Sequence, residues 1–478
     1  MKVYLDALGC RLNEAELEQW AVAFKASGAS LAGNPGEADV MVLNSCAVTR
    51  EAVAKSRRRL TRLQRDNPQA RLVLSGCYSA LESSEALADL GVDLVVGNAE
   101  KDKLVKMTVA TFETGSMPAS ATVPDSAALF GRNRHRAFIK IQDGCRYKCT
   151  YCIVTVARGE ERSRPIAELV DEVQRLAASG VREVVLTGVH VGGYGSDIGL
   201  DLADLVTALL DDTDIERIRF ASVEPWDLSP RFIALFANAR LMPHMHLPLQ
   251  SGSDVILRRM ARRCRTEEFR RLTEKLRAVV PHFNVTTDVI VGFPGESEAL
   301  WQDSLAFIAT QPFGHIHAFA YSAREGTAAA NFPDPVPADI QQRRSRELHA
   351  LAERLKREQL EAQLGQTTRV LWETGKAVPD TPAIRQHQGY TENYHRVEVK
   401  SGADIANMIG ELAPARVAGL RLVADSAGEP VGETPRLRQH ECCKDDQSME
   451  STRRTAASDE PGSRPASMTH RIIPLHPR

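Results

Sequence analysis

The stretch Cys145-Arg-Tyr-Lys-Cys149-Thr-Tyr-Cys152 decides how the rest of this chain is interpreted. Its three cysteines have the spacing CxxxCxxC and follow the apolar run Phe138–Ile141. Three thiolates on one short loop can each bind a different iron of a cubane cluster, which leaves the fourth iron open to another ligand. Zinc is the alternative, but a zinc site needs a fourth ligand nearby, and no histidine lies between Cys145 and Arg158. We therefore predict an iron–sulfur cluster with one open coordination position.

The composition is that of a large protein of nearly balanced charge. The chain has 478 residues, of which 26% are charged and 43% hydrophobic, and its formal net charge is −2. This length predicts about three domains, and the charge predicts that any polyanion binds to local patches. No apolar run approaches the ~20 residues of a membrane span, and Asp6 lies where a signal peptide would be apolar. We predict a cytoplasmic protein with no membrane partner, whose reduced cysteines bind metal or act in catalysis.

Residues 1–107 repeat one pattern, in which an apolar run ends at a cysteine and a helical stretch follows. Such alternation predicts a parallel α/β domain of the flavodoxin-like kind. Ligands of these sheets gather beyond the carboxyl ends of the strands, where Cys10, Cys46 and Cys77 all fall. The prediction is a second three-thiolate iron–sulfur cluster. The alternative is three buried thiols that follow strands without binding a metal.

Residues 108–130 are rich in small residues, Ser and Pro, and are predicted to be a linker. Residues 131–365 then alternate six strand-like runs with helical patterns, which predicts a partial (β/α)6 barrel. The cluster loop follows the first run, at the rim where barrel enzymes place their chemistry. The six runs are Phe138–Ile141, Glu183–Thr187, Arg217–Val223, His244–Leu249, Asn284–Val291 and His315–Tyr321.

Three features at the barrel rim are candidates for cofactor or metal binding. Gly188 follows the second strand and lets the backbone approach a ligand closely, although turns use glycine too. Ser222 and Glu224 lie at the end of the third strand, where a buried carboxylate would need a ribose hydroxyl or an ammonium as its partner; a capping turn is the other interpretation. The pairs His244/His246 and His315/His317 each place two imidazoles on one strand face, and hydrogen-bonded core histidines are favoured there over a metal site.

The last part of the chain changes character twice. Pro337–Gly365 is predicted to be one long charged helix, and residues 366–424 a small antiparallel β-barrel. Its candidates for contact with RNA are Tyr390, Tyr394, His395 and Arg396. Residues 425–478, which include Cys442-Cys443, lack periodicity and are predicted to be a disordered tail. The basic run from Lys55 to Arg65 is either a solvated helix face or a phosphate contact.

Residues 1–424 as a whole resemble the radical S-adenosylmethionine (SAM) methylthiotransferases. Members of that family consist of an N-terminal three-cysteine domain, a radical SAM barrel and a C-terminal TRAM domain. The resemblance rests on Leu8-Gly-Cys10, Asn44-Ser-Cys46-Ala-Val-Thr49, Gly76-Cys77 and Ala157–Pro165 together with the cluster loop.

Within the family, the stretches Phe138–Cys145, Ser222–Trp226 and His246–Gly252 are most similar to one branch. That branch adds a methylthio group to C2 of N6-threonylcarbamoyladenosine, next to the anticodon in tRNA. Thr155-Val156 departs from the Pro-Tyr that is usual after the cluster loop, at a place that could affect substrate fit. The implied partners are the anticodon stem-loop of tRNA, SAM, and a reducing electron donor such as flavodoxin or ferredoxin.

The resemblance also implies the roles of individual residues. Two 4Fe–4S clusters are expected, one on Cys145, Cys149 and Cys152 that binds SAM, and an auxiliary one on Cys10, Cys46 and Cys77 that holds the transferred sulfur. Tyr151 and Gly188 are expected to contact SAM, with Ser222 and Glu224 as further cofactor-binding residues. No catalytic residue is expected beyond the cluster ligands. The remaining alternatives are a different tRNA adenosine, an aspartate of a ribosomal protein, or a non-catalytic iron–sulfur protein that binds RNA or transfers electrons.

Overall fold

The N-terminal domain is built on a parallel five-stranded sheet in the order β2-β1-β3-β4-β5, in a computed structural model that describes residues 1–112, 135–379 and 381–431. Strand β3 lies in the middle of this sheet and is buried along its whole length, which is why its sequence is almost continuously apolar. The predicted parallel α/β domain is therefore confirmed. The strands are β1 (Lys2–Ala7), β2 (Ser30–Leu31), β3 (Val40–Ser45), β4 (Arg71–Gly76) and β5 (Leu94–Val96).

Four helices accompany this sheet, and the last of them corrects one prediction. It occupies the first five residues of the stretch 108–130 that was predicted to be a linker, because Thr108 is buried against the domain. Residues 113–130 of the predicted linker lie outside the described residues. The helices are Arg11–Ala26, Arg50–Asp66, Ser84–Ala88 and Leu104–Phe112.

Six parallel strands form the predicted partial barrel. They make two three-stranded ladders, β6-β9-β10 and β11-β12-β13, and parallel bridges from Ile218 to Leu241 and from Ser222 to His246 join the ladders. The short pair β7 and β8 lies beside the cluster loop. The short pair is β7 (Gln142–Asp143) and β8 (Arg162–Ser163). The six barrel strands are β6 (Arg136–Lys140), β9 (Glu183–Thr187), β10 (Arg217–Phe220), β11 (His244–His246), β12 (Asn284–Val291) and β13 (Phe313–Ala320).

Helices cover the outside of this sheet with their apolar faces. Val173 and Trp301, on two of these helices, are both fully buried in the large core that the sheet and helices share. The predicted long helix is observed as Ala338–Glu361 and packs against β13. The other barrel helices are Val154–Arg158, Ile166–Ala178, Leu202–Asp212, Pro230–Ala234, Asp254–Arg259, Thr266–Val279 and Glu298–Ala309.

The C-terminal domain is a curled sheet that is mostly antiparallel, although β17 and β20 pair in parallel. Its longest strand, β16, was not predicted because its sequence is mostly polar. The strands are β14 (Thr368–Trp372), β15 (Lys376–Val378), β16 (Thr381–Thr391), β17 (Arg396–Ser401), β18 (Ile409–Leu412), β19 (Arg416–Ala418), β20 (Arg421–Val423) and β21 (Glu429–Pro430).

This domain extends beyond its predicted end at residue 424. Strand β21 pairs with β18, and the indole Nε1 of Trp372 donates to the carbonyl oxygen of Ala427 at 3.0 Å. The predicted disordered tail is therefore wrong for residues 425–431, because backbone and side-chain hydrogen bonds hold them on the sheet. Cys442-Cys443 and the rest of the predicted tail lie outside the described residues. Within the described ranges, no helix combines the length and the apolar composition that crossing a bilayer requires.

Candidate functional site

The structure brings Cys10, Cys46 and Cys77 together at one edge of the N-terminal sheet. Each follows the carboxyl end of one of three adjacent strands, β1, β3 and β4. Gly9 has a φ of +98°, and a Cβ on it would lie 2.6 Å from Sγ of Cys46. Only glycine leaves this space open, so the backbone of one cysteine loop contacts the thiol of the next.

The electrostatics of these three thiols fit a cationic cluster. Burial, with a smaller effect from the neighbouring Cys10 and Cys77, raises the pKa of Cys46 to about 11. Burial also raises the pKa of Cys10, while the nearby guanidinium of Arg158 opposes this. The raised pKa values of Cys10 and Cys46 favour their protonated forms in the absence of a cation, and a bound iron cluster would supply the positive charge that favours the thiolates.

The loop that carries Cys145, Cys149 and Cys152 is held by hydrogen bonds on both sides. The backbone N–H of Cys145 donates to the carbonyl oxygen of Gly159 at 3.1 Å, and the hydroxyl of Thr150 donates to that of Arg259 at 2.9 Å. All three thiols are half-buried. Burial raises the pKa of Cys145 to about 12 and that of Cys152 to about 11, and the latter is also affected by Cys77. Arg158, six residues after Cys152, donates to the side-chain oxygen of Asn13, three residues after Cys10, at 2.9 Å, so the two cysteine loops lie near each other.

His190 fixes the side of this loop that carries Cys145. It is fully buried, its Nδ1 hydrogen-bonds Glu161, and its Nε2 lies 2.6 Å from a carboxylate oxygen of Asp227. Burial alone would lower the pKa of His190, but Asp227, Glu224 and Glu161 raise it overall, which favours an imidazolium. The thiol of Cys145, Glu161 and His190 offer atoms within 4.8 Å of one another.

Arg262 is a site residue that the sequence reasoning missed. It is buried, it donates to the carbonyl oxygen of Pro248, and its guanidinium lies 4.3 Å from the ring centroid of Trp226. Burial lowers its pKa, but Tyr151, Cys149 and Glu224 raise it overall. The only sequence signal was its position in the run Arg262-Arg-Cys-Arg265, which is typical of a solvated face.

The four predicted cofactor-binding residues differ in their surroundings. Gly188 and Ser222 line a large cavity of the described chain. Glu224 has a buried Oε2 with no hydrogen-bond partner among the described residues, and burial raises its pKa. Such an oxygen fits the ammonium or hydroxyl ligand that the sequence reasoning expected there. Tyr151 is not among the cavity-lining residues and packs in an apolar group with Met260 and Phe293.

The cavity has a volume of about 1040 Å³, and all three parts of the chain line it. Cys10 comes from the N-terminal domain, Gly188 and the four predicted histidines from the barrel, and Tyr390, Tyr394 and Arg396 from the C-terminal domain. The hydroxyl of Thr286 is 3.2 Å from Nε2 of His244 and 3.0 Å from Nδ1 of His246. His246, Asp288 and His317 offer atoms within 4.8 Å of one another.

The predicted RNA-contacting residues face this cavity and do not form an open surface. The rings of Tyr390 and Tyr394 stack with centroids 4.7 Å apart. Arg136 lies 4.8 Å from the first ring centroid and Arg219 lies 4.6 Å from the second. His395 is buried. These contacts join the C-terminal domain to the bottom of the barrel.

A buried ion network joins the N-terminal domain to the barrel next to both cysteine trios. Glu16 of the helix Arg11–Ala26 pairs with Lys101 at 2.5 Å, with Lys140 at 3.2 Å and with Arg158 at 3.1 Å. Arg158 also bonds Asp143 at 2.9 Å, just before the cluster loop. The network therefore sets the position of the Cys10 edge relative to the Cys145 loop.

Comparison with known proteins gives two family matches. The radical SAM superfamily model matches residues 139–308, and the model described as uncharacterized protein family UPF0004 matches residues 2–97. These ranges contain the Cys145 loop and the three N-terminal cysteines respectively.

Curated relatives match over most of the chain. Two proteins named threonylcarbamoyladenosine tRNA methylthiotransferase MtaB, from Bacillus subtilis and Thermotoga maritima, are each 34% identical, and the matches cover 87% of this chain and 93% and 94% of theirs. A tRNA-2-methylthio-N(6)-dimethylallyladenosine synthase from Cereibacter sphaeroides is 35% identical over 87% of this chain and 95% of its own. Identity alone does not separate these two substrates.

Among solved structures, the radical SAM methyltransferase TsrM from Kitasatospora setae, with cobalamin and a 4Fe–4S cluster bound, is similar in fold. The superposition has a TM-score of 0.52 at 15% identity and covers 69% of this chain and 77% of that chain. At this identity the similarity concerns the fold alone.

Proposed function

The chain belongs to the radical SAM tRNA methylthiotransferases, and we propose that it adds a methylthio group to C2 of N6-threonylcarbamoyladenosine next to the anticodon of tRNA. The observation that supports this most is the single cavity of about 1040 Å³ that Cys10, Gly188 and Arg396 line together. The N-terminal domain, the barrel and the C-terminal domain all line this cavity, so a nucleotide bound in it would contact all three.

The walls of the cavity favour the threonylcarbamoyl substituent over the dimethylallyl one. His246, His317, Lys356 and Arg396 are among the polar side chains that line it. A threonylcarbamoyl group carries a carboxylate, a hydroxyl and a carbamoyl unit that can pair with such groups. A dimethylallyl group is apolar and would offer these side chains no hydrogen bond or charge, so burying it against them is less favourable.

The cofactors of this family are SAM and two 4Fe–4S clusters, which supply the one-electron and sulfur-transfer chemistry that an unactivated C–H bond requires. We assign Cys145, Cys149 and Cys152 as ligands of the SAM-binding cluster. We assign Cys10, Cys46 and Cys77 as ligands of the auxiliary cluster. The burial of Cys46 and Cys77 fits this role, because a cation there would replace the solvent that thiolates otherwise need.

The remaining residues of the site bind and orient the cofactor and keep water away from it. Glu224 offers to the SAM ammonium or ribose an Oε2 that has no hydrogen bond among the described residues, and Gly188 lets the backbone lie against the cofactor. The buried guanidinium of Arg262 holds positive charge beside Cys149 and Glu224. Tyr151 closes the apolar side of the loop with Met260 and Phe293, which helps to exclude water.

Nucleoside mass spectrometry of tRNA from a strain that lacks the gene tests the substrate. We expect the methylthio group to be missing from N6-threonylcarbamoyladenosine and to return with the wild-type gene. A mark that persists undiminished on this nucleoside contradicts the proposal. Loss from dimethylallyladenosine instead would show that the chain has the substrate of the other named relatives.

A second measurement separates the enzyme from a non-catalytic iron–sulfur protein. Anaerobic, reconstituted protein should release 5′-deoxyadenosine from SAM when a reductant is added. The Cys149→Ala variant should lose this release, because Cys149 is an assigned ligand of the SAM-binding cluster. Release that is equal in both proteins would contradict the assignment.

A further inference from the structure

One wall of the cavity carries positive charge that the described protein does not balance. Lys356, on the helix Ala338–Glu361, is half-buried and lines the cavity. Within the described residues no carboxylate lies within ion-pair distance of it, and the charged neighbour that affects it is Arg396, another cation. Burial, followed by the charge of Arg396, lowers the pKa of Lys356. An ammonium in such surroundings is stabilised by an incoming anion.

Arg396, at the start of β17, has partners for only some of its hydrogen-bond donors. Its Nη2 donates to Oε1 of Glu398 at 2.9 Å, while its Nε is buried without a partner among the described residues. Glu398 is shared, because Arg421 also lies 2.9 Å from it. One carboxylate therefore serves two guanidiniums, and Lys356 adds a further cation to the same wall.

The neighbouring histidines add hydrogen-bonding capacity and little charge. His315 and His317 line the same cavity, with ring centroids 4.4 Å apart. Burial, together with His317 and Lys356, lowers the pKa of His315 to about 4, so its ring is neutral at physiological pH. The wall thus presents two incompletely paired cations beside neutral imidazoles, which is the chemistry of an anion site.

We propose that Lys356 and Arg396 form a carboxylate-binding subsite that recognises the threonyl carboxylate of the N6 substituent and thereby determines substrate specificity. This inference rests on the proposed function. It makes the two residues specificity determinants that bind the substrate at a point away from the reacting carbon. An adenosine with an apolar N6 substituent leaves Lys356 without an anion and Arg396 only partly paired, and the site discriminates against it for that reason.

A backbone phosphate of tRNA is the other anion that could occupy this site, and binding measurements distinguish the two. The anaerobically reconstituted full-length protein is titrated with three anticodon stem-loop RNAs. One carries threonylcarbamoyladenosine, one its carboxamide analogue and one plain adenosine. The variants are Lys356→Met, Arg396→Gln and the charge-retaining Lys356→Arg. The control is Arg357→Gln, which removes an exposed cation from the next position of the same helix.

We expect the wild-type protein to prefer the carboxylate RNA over the carboxamide RNA. Lys356→Met and Arg396→Gln should each lower the affinity for the carboxylate RNA by about 10- to 100-fold and leave the other two RNAs nearly unchanged. Lys356→Arg should keep most of the preference, and Arg357→Gln all of it. A residue with a purely structural role would not move this ratio between RNAs.

Three results would overturn the proposal. Equal losses for all three RNAs, with a weaker dependence on salt, would show that the cations bind backbone phosphate. If the variants keep the wild-type preference for the carboxylate RNA, Lys356 and Arg396 do not form the subsite, and the proposed function is unaffected. A wild-type protein that neither prefers nor methylthiolates the threonylcarbamoyladenosine RNA would refute the proposed function itself.

Discussion

At the scale of the residue, two glycines make room for the auxiliary cysteines. Gly9 and Gly76 have φ values of +98° and +102°, which L side chains rarely adopt. A Cβ on Gly9 would lie 2.6 Å from Sγ of Cys46, and one on Gly76 would lie 2.2 Å from the carbonyl oxygen of Ser45. The loops of Cys10 and Cys77 thus each depend on the glycine that precedes the cysteine.

Gly9→Ala should therefore disturb the auxiliary trio. We expect a backbone strain of about 1–2 kcal/mol and a displacement of the Cys46 thiol. The iron content of the reconstituted protein should therefore fall from about eight irons toward half that number. Gly28→Ala is the matched control, since Gly28 also has positive φ but open space around it. It should lose similar stability and keep its iron, as measured by urea unfolding and iron analysis.

Cys46→Ala should reach the same half-loaded state by removing a ligand directly, with about four irons remaining. Iron and sulfide analysis of anaerobic protein measures this. If both Gly9→Ala and Cys46→Ala retain the full wild-type iron content, the auxiliary site is not where we place it.

At the scale of the element, the helix Arg11–Ala26 connects the N-terminal domain to the barrel. Its Glu16 is buried and pairs with cations from both sides of the boundary, Lys101 on one and Lys140 and Arg158 on the other. Burial alone would raise the pKa of Glu16, but these cations hold it well below its usual range. Removing this one carboxylate leaves three buried cations with less compensation.

We predict that Glu16→Gln lowers the free energy of unfolding by about 3–5 kcal/mol, as for other broken buried ion pairs. Glu14→Gln, two residues earlier on the same helix, breaks a partly exposed pair with Arg11 and should cost about 0–1 kcal/mol. Urea unfolding followed by circular dichroism compares them. Equal losses would show that the network does not stabilise the junction.

At the scale of the whole molecule, one buried carboxylate organises the contact between the barrel and the C-terminal domain. Glu183 on β9 is fully buried and pairs with Arg136, Arg217 and Arg219 at 3.0 to 3.2 Å. Two of these arginines also donate to the carbonyl oxygens of Thr391 and Glu392 in the C-terminal domain. Burial would raise the pKa of Glu183, but the three guanidiniums lower it far below 4.5.

This shift predicts how stability depends on pH. The unfolded chain binds a proton at Glu183 more readily than the folded protein does, so the contribution of Glu183 is complete above about pH 4.5 and is lost as the pH falls toward its folded pKa. Glu183→Gln should cost about 3–5 kcal/mol at neutral pH and progressively less in acid. Glu168→Gln, which removes an exposed carboxylate, is the control. A cost that does not change with pH would contradict the ionised state of Glu183.

Much of the architecture could be predicted because its signals are local. The period of strands and helices predicted both parallel sheets, and the bounds of β9 and β12 agree with it to the residue. The polar strand β16 was missed, since its pattern is not apolar on either face. Arg262 was missed because a basic run predicts a solvated helix, whereas here one arginine is buried against Trp226.

The sequence by itself determined that the chain carries two trios of thiols, one on a single loop and one spread over three strands, and that a β-rich domain follows a barrel. Spacing and periodicity are properties of neighbouring residues, so they can be read without coordinates. Only the tertiary structure decided that the two trios lie near each other, that Glu16 forms ion pairs across one domain boundary, that arginines paired with Glu183 donate to the C-terminal domain, and that Lys356 and Arg396 line one cavity. Those contacts join residues far apart in the chain, and the packing that creates them leaves no repeating trace in the sequence.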